Sequence, residues 1–241
     1  MIELNSITCK FDDKTVLEDV SLKIENHLSI LGANGSGKST LAKAICKLVK
    51  HEGEILIDSI NTNDLSLKQR AKNISYIPAK LEIYDSFITV EEFVLQGRFP
   101  YKKSFFEYSK KDKNITTQTL EFLKISHLKN HSVSSLSSGE QQLTLIAQAL
   151  AGQSKIMIFD EPTANLDPHN SKIIAKHIKG LKKYHNIILI THDLHLASYV
   201  NSHVLFIKDK SASYFDDNFF DDSTLSYISE VKFKYLVVIY D

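Results

Sequence analysis

The run Gly32-Ala33-Asn34-Gly35-Ser36-Gly37-Lys38-Ser39-Thr40 spells G-x-x-x-x-G-K-[ST], a spacing suited to gripping phosphate. Glycines let successive backbone N–H groups curl around phosphate oxygens, and a helix starting at the end of the loop adds its partial positive charge. Lys38 is placed to reach β- and γ-phosphates, and the Ser39 hydroxyl to ligate Mg²⁺. A glycine turn without a ligand is the plain alternative. Context decides against it. Residues 27–31 predict a short strand before the loop, and Leu41, Ala42, Ile45, Leu48 and Val49 predict a helix over residues 38–48 after it. A second constellation is Ile156-Met157-Ile158-Phe159-Asp160-Glu161, where an apolar strand delivers two carboxylates at its end. Asp160 suits Mg²⁺, held directly or through water, and Glu161 suits orienting and deprotonating an attacking water. Alone, this would read as a solvated strand end. Downstream of a phosphate loop, it supplies the missing half of a hydrolytic site.

These residues need a frame. Residues 2–4, 16–24 and 53–57 mix alternation with short apolar runs and predict strands. Residues 155–159 and 186–190 are apolar runs of buried-strand length, with helical spacing over 170–183 between them, which predicts a βαβ unit in a parallel sheet. From 81 to 153 the periodicity is mostly helical, clearest over 115–123 and 143–150. The expectation is one α/β domain whose core comprises 1–80 and 154–241, with 81–153 inserted as a helical lobe. Pro78, Pro162 and Pro168 fall just after apolar runs or at loop-to-helix junctions.

Composition narrows the function classes. The 29 basic residues balance the 29 acidic ones, so no net field attracts nucleic acid, and no nucleic-acid partner is expected. Two cysteines, Cys9 and Cys46, cannot build a disulfide framework and lack metal-ligand spacing, which favours a reducing compartment. The early polar residues Glu3, Asn5, Asp12 and Asp13 predict no cleaved leader, and no apolar run is long enough to span a bilayer. Work at a membrane would require a partner to hold the chain there.

Leu136-Ser137-Ser138-Gly139-Glu140-Gln141-Gln142 precedes a predicted amphipathic helix and lies shortly before Asp160-Glu161. By itself it reads as a serine-rich helix cap. In order with the other motifs, the chain resembles, over essentially its whole length, the ATP-binding cassettes of ABC transporters, whose signature is usually L-S-G-G-[QE]. Ala164-Asn165-Leu166-Asp167 is similar to the family's D-loop, and His192 in Ile190-Thr191-His192-Asp193 to its switch histidine at the γ-phosphate. Phe11 occupies the position of the aromatic that stacks on adenine, although for Phe11 alone core packing reads equally well. The resemblance implies a P-loop NTPase (RecA-like) core with an N-terminal antiparallel β-subdomain and an inserted helical subdomain, and ATP with Mg²⁺ as cofactors. It implies a head-to-tail dimer in which Ser137 and Gly139 act on the partner's nucleotide. It also implies transmembrane permease subunits, an indirect substrate-binding protein, and a place at the cytoplasmic face of the membrane.

Val94-Leu95-Gln96-Gly97-Arg98-Phe99-Pro100-Tyr101 looks like the G-R-x-P segment of cassettes serving iron-siderophore, haem and cobalamin importers, and residues 192–197 fit the same group. One departure stands out. Ile74-Ser75-Tyr76-Ile77-Pro78 aligns with the segment that ends in the Q-loop glutamine, yet Ala79 follows and residues 70–95 contain no glutamine. Ser138 for glycine and Gln148 for a common arginine are milder departures. Two other readings stay open: a soluble ABC-type ATPase acting on DNA or ribosomes, which usually brings a coiled coil, zinc modules or a second cassette not found here, and an ATP-gated dimerisation module that hydrolyses poorly, motivated by Ala79.

Overall fold

The computed structural model describes residues 1–12, 14–82, 85–103, 107–200, 203–216 and 219–221, so the end of the 154–241 segment lies outside the described residues. Strand β1 (Ile2–Phe11) buries Ile2, Leu4, Ile7 and Cys9. Its alternation shifts phase after Leu4, where Ser6 takes a left-handed φ of 53° and the register with β2 (Lys14–Ile24) slips. The chain continues through β3 (Leu28–Gly32), helix α1 (Lys38–Ile45), β4 (Glu52–Ile57) and β5 (Ile60–Asn61). Strands β1, β2, β4 and β5 form an antiparallel sheet in the order β2-β1-β4-β5.

After helix α2 (Leu67–Asn73), β6 (Ile74–Ile77) opens the second sheet. Helices α3 (Val90–Leu95), α4 (Lys110–Phe122) and α5 (Ser138–Ala151), with short 3-10 turns, fill the described residues between β6 and β7 (Ile156–Asp160). Helix α6 (Pro168–Leu181), β8 (Asn186–Ile190), α7 (Leu194–Val200), β9 (Val204–Lys208) and β10 (Ser211–Phe215) complete the order. The six strands run β10-β9-β3-β8-β7-β6, parallel except for the β9–β10 hairpin. Central strands are covered on both faces, which explains their continuous apolar spelling. In β7, Ile156 and Ile158 enter the core shared with α1 and the antiparallel sheet, while Met157 and Phe159 enter the core shared with the inserted helices. The α/β class is the expected one.

Several expectations shift. The helix expected over 38–48 stops at Ile45, because Lys47 turns left-handed at φ 56° and Leu48 swings out to 60% exposure. The strand expected over 27–31 starts at Leu28 and runs to Gly32, and the helix expected over 170–183 begins at Pro168 and ends at Leu181. Asp167 sets that start by accepting the His169 and Asn170 N–H groups, and Pro168 adds a helix-compatible φ. The sequence pattern does not predict strands β5, β6, β9 and β10; Ser75 and Tyr76 interrupt the short apolar pattern of β6.

The G-R-x-P segment has a structural job. It forms a 3-10 turn in which Arg98 is 2% exposed. Its Nε donates to Asp112 Oδ1 at 2.9 Å, and Nη1 donates to Ala151 O and Gln153 Oε1, each at 2.8 Å. The guanidinium also lies 3.9 Å from the Tyr101 ring centroid. One side chain thereby ties the start of α4 to the end of α5. Burial would raise the Asp112 carboxyl, but hydrogen bonds from Ser109 and Arg98 outweigh it and hold it below the usual range. The contribution is therefore present above the ordinary Asp pKa and fades as pH falls through the depressed one. Arg98→Ala should lower stability by about 3–5 kcal/mol, because it strands the buried Asp112 charge. Urea denaturation measures this, and Arg98→Lys should recover only part, having no planar fork for three acceptors.

Candidate functional site

Helix α1 starts differently from its neighbours. Helices α2, α3, α4 and α5 each enter through a reciprocal capping box, Ser66–Gln69, Thr89–Glu92, Ser109–Asp112 and Ser137–Glu140. Asp167 caps α6 and Asp193 caps α7. The residue before α1 is Gly37, left-handed at φ 104°, and no side chain caps the helix. A Cβ there would meet Leu17 Cδ2 at 2.9 Å, so glycine is needed for both backbone and space. Uncapped N–H groups at a helix start beside a glycine loop are an anion cradle. Lys38, only 5% exposed, folds back to donate to Gly32 O at 2.8 Å and Ala33 O at 2.9 Å. Burial pushes its ammonium pKa down, partly offset by the nearby Glu161 and Asp160 charges. Ser36 Oγ is buried without a hydrogen-bond partner. A triphosphate would satisfy all three groups of donors.

The strand register brings the carboxylates to the same edge. Asp160 pairs with Ile190 across β7 and β8, so Glu161 and His192 emerge side by side beyond the sheet. Asp160 Oδ1 accepts from Ser39 Oγ at 2.8 Å, and Oδ2 accepts from the Tyr76 hydroxyl at 2.6 Å. The phenol pKa is pushed up by burial and by this carboxylate. One carboxylate and one hydroxyl beside a phosphate cradle form an oxygen donor set that fits Mg²⁺, which keeps water and substrate phosphates as its other ligands. Glu161 is left-handed at φ 49°, a costly conformation for a residue with a Cβ, and its N–H donates to Ile190 O at 2.8 Å. Its Oε2 lies 3.0 Å from His192 Nδ1. With a carboxylate as acceptor, Nδ1 carries the proton and Nε2 is left free to face a ligand.

Ser137 and Gly139 stand at the start of α5, and Asp167 caps α6. Ser137 is exposed and acts as the α5 cap, donating to Glu140 Oε2 at 2.7 Å. Gly139 is buried so closely that a Cβ would meet Asn170 Cγ at 2.7 Å, and the Asn170 amide donates to Asp167 Oδ2. Sequence reasoning missed Asn170; only the close approach shows it. Phe11 ends β1 at 48% exposure and belongs to none of the hydrophobic cores, so core packing does not account for it. A cavity of about 680 Å³ lies between Lys14–Val16 and the 33–36 part of the loop, but Lys38, Asp160, Glu161 and His192 do not line it. Ala79 follows Pro78 directly after β6 and brings no polar side-chain atom to the site.

Residues 17–164 match the family model described as ABC transporter. The chain belongs to that family. It is similar to the hemin import ATP-binding protein of Pseudomonas fluorescens, 33% identical with 86% of this chain and 83% of that protein covered. It is also similar to the petrobactin import ATP-binding protein of Bacillus subtilis, 30% identical with 87% and 84% covered. Among solved structures, a dimeric ATP-binding cassette in a post-hydrolysis state bound to ADP and Pi superposes with a TM-score of 0.78 and 28% identity, covering 90% of this chain and 99% of that one. The protein is thus an ATP-binding cassette and an ATPase. Among the described residues no helix is long and apolar enough to cross a membrane.

Proposed function

We propose that this cassette powers import of an iron chelate or haem, with cobalamin as the third cargo of the same group, through permease subunits that it docks on the cytoplasmic face of the membrane. The observation that carries the ATP-driven part is the uncapped start of α1 with Lys38 and Ser36 beside it. The cargo class draws support from the relatives named for hemin and petrobactin import. A binding protein delivers cargo on the far side, and a second copy of the chain closes head to tail.

Each site residue takes a role in this reading. Gly32, Asn34, Gly35, Ser36, Gly37 and Thr40 wrap the phosphates, Lys38 neutralises them, and Phe11 stacks on adenine. Ser39 and Asp160 hold Mg²⁺, which when bound offsets charge on the β- and γ-phosphates. Glu161 takes the proton of the attacking water, and His192 orients Glu161 and the γ-phosphate. Ser137 and Gly139 meet the partner's nucleotide, and Asp167 joins them from the D-loop.

Ala79 favours a second reading, an ATP-gated dimerisation module with weak hydrolysis. One reconstitution decides between them: cassette and permease in liposomes, with ATPase turnover and uptake of a ferric siderophore, haem or cobalamin measured together. ATP-dependent uptake of one of the three supports the import reading, turnover without any uptake rejects the cargo class, and negligible turnover with no uptake supports the dimerisation module. In the same system Ala79→Gln should raise kcat by up to about 10²-fold at unchanged ATP affinity, the usual size of one polar contact to a transition-state group. No gain would mean that another group already fills the glutamine's place.

A further inference from the structure

Asp160 offers two oxygens, and the structure occupies them from different elements. Ser39, on α1, donates to Oδ1, and Tyr76, on β6, donates to Oδ2. In the proposed reading the Ser39 hydroxyl would offer a lone pair to Mg²⁺ while its hydrogen can stay with Oδ1, and Asp160 would hold the metal directly or through water. The Tyr76 bond fixes the other carboxylate oxygen from a separate element. Strand β6 pairs in parallel with β7, Tyr76 opposite Ile158, and the tyrosine packs against the core that holds Ile156 and Ile158. The ring is therefore anchored beside β7, with its hydroxyl reaching forward to the strand's last residue.

We propose that Tyr76 is a positioning residue for the Mg²⁺ site, holding the Asp160 carboxylate through Oδ2 in the orientation that metal binding would require. The inference rests on the reading of Asp160 as a metal holder. Tyr76 stands three residues before Ala79, on the strand from which the family's glutamine would otherwise reach the site. In this chain the phenol is the group from that strand that touches the metal-holding carboxylate. Partners that orient a ligating carboxylate are commonly worth 10–100-fold in metal affinity or activity. Mg²⁺ needs near-octahedral geometry at short distance, whereas Ca²⁺ accepts longer and irregular coordination. A freed carboxylate should therefore cost Mg²⁺ more than Ca²⁺.

The test is the affinity of the full chain for a fluorescent ATP analogue, titrated with Mg²⁺ or Ca²⁺ and compared with EDTA. Tyr76→Phe should raise the half-saturating Mg²⁺ concentration by about 10-fold, shift Ca²⁺ less than about threefold, and leave metal-free binding unchanged. Equal shifts for both ions, or none, would overturn the proposal, since general loosening does not discriminate between them. Should Tyr76→Phe not fold, Tyr76→Met also lacks a donor and is read the same way. Asp160→Asn separates the two ideas: it should abolish the metal-dependent gain. If that gain survives, the assignment of Asp160 fails, and the role of Tyr76 fails with it. If Asp160→Asn abolishes the gain and the Tyr76 variant behaves as wild type, only the role of Tyr76 fails.

Discussion

Glu161→Gln should bind ATP normally and lose about 10³-fold or more in turnover, within the range by which a positioned general base accelerates proton transfer. The geometry makes this a clean substitution. Glutamine keeps the side-chain length, and its carbonyl can still accept the His192 Nδ1 hydrogen at the 3.0 Å contact. The left-handed backbone at 161 and the N–H bond to Ile190 O are shared by both residues, so the strain is unchanged. Only basicity is lost. Phosphate release at saturating MgATP measures the effect, and thermal melting should show little change. Turnover near wild type would move the base elsewhere.

Lys38→Ala should weaken ATP binding by at least about 10–100-fold, the loss expected when one or two charge-assisted hydrogen bonds to phosphate disappear. Calorimetric titration reads this directly. A second effect follows from the structure. Lys38 Nζ satisfies the Gly32 and Ala33 carbonyls, and its removal leaves them to find water. Stability should therefore fall, by about 1–3 kcal/mol for each carbonyl that stays dry. The two effects separate experimentally, because the binding loss should persist at temperatures where the variant is fully folded.

What could be read in advance tracks how local the physics is. The strand–loop–helix around Lys38 was legible because glycine spacing and apolar period are properties of adjacent residues. The 186–190 strand was legible to the residue, since 187–190 is an unbroken apolar run buried on both faces. Strand β6 was not, because Ser75 and Tyr76 look like loop polarity until Tyr76 is seen to serve Asp160, 84 residues away. The run to Leu48 misled because an apolar residue past a left-handed turn can continue a helical pattern without continuing the helix. Arg98 looked like a family label and is a buried staple, which needed Asp112, Ala151 and Gln153 in three dimensions. For Phe11, only its exposure tells against core packing.

The proposed function requires that ATP close two copies of the chain head to tail. The most direct measurement is the molar mass of Glu161→Gln by light scattering, in MgATP and in EDTA, at concentrations where the nucleotide site is saturated. The variant should scatter at twice the 27.3 kDa chain mass in MgATP and return to the single-chain mass in EDTA. A variant that has bound ATP, turns nothing over and still scatters as a single chain would contradict that requirement.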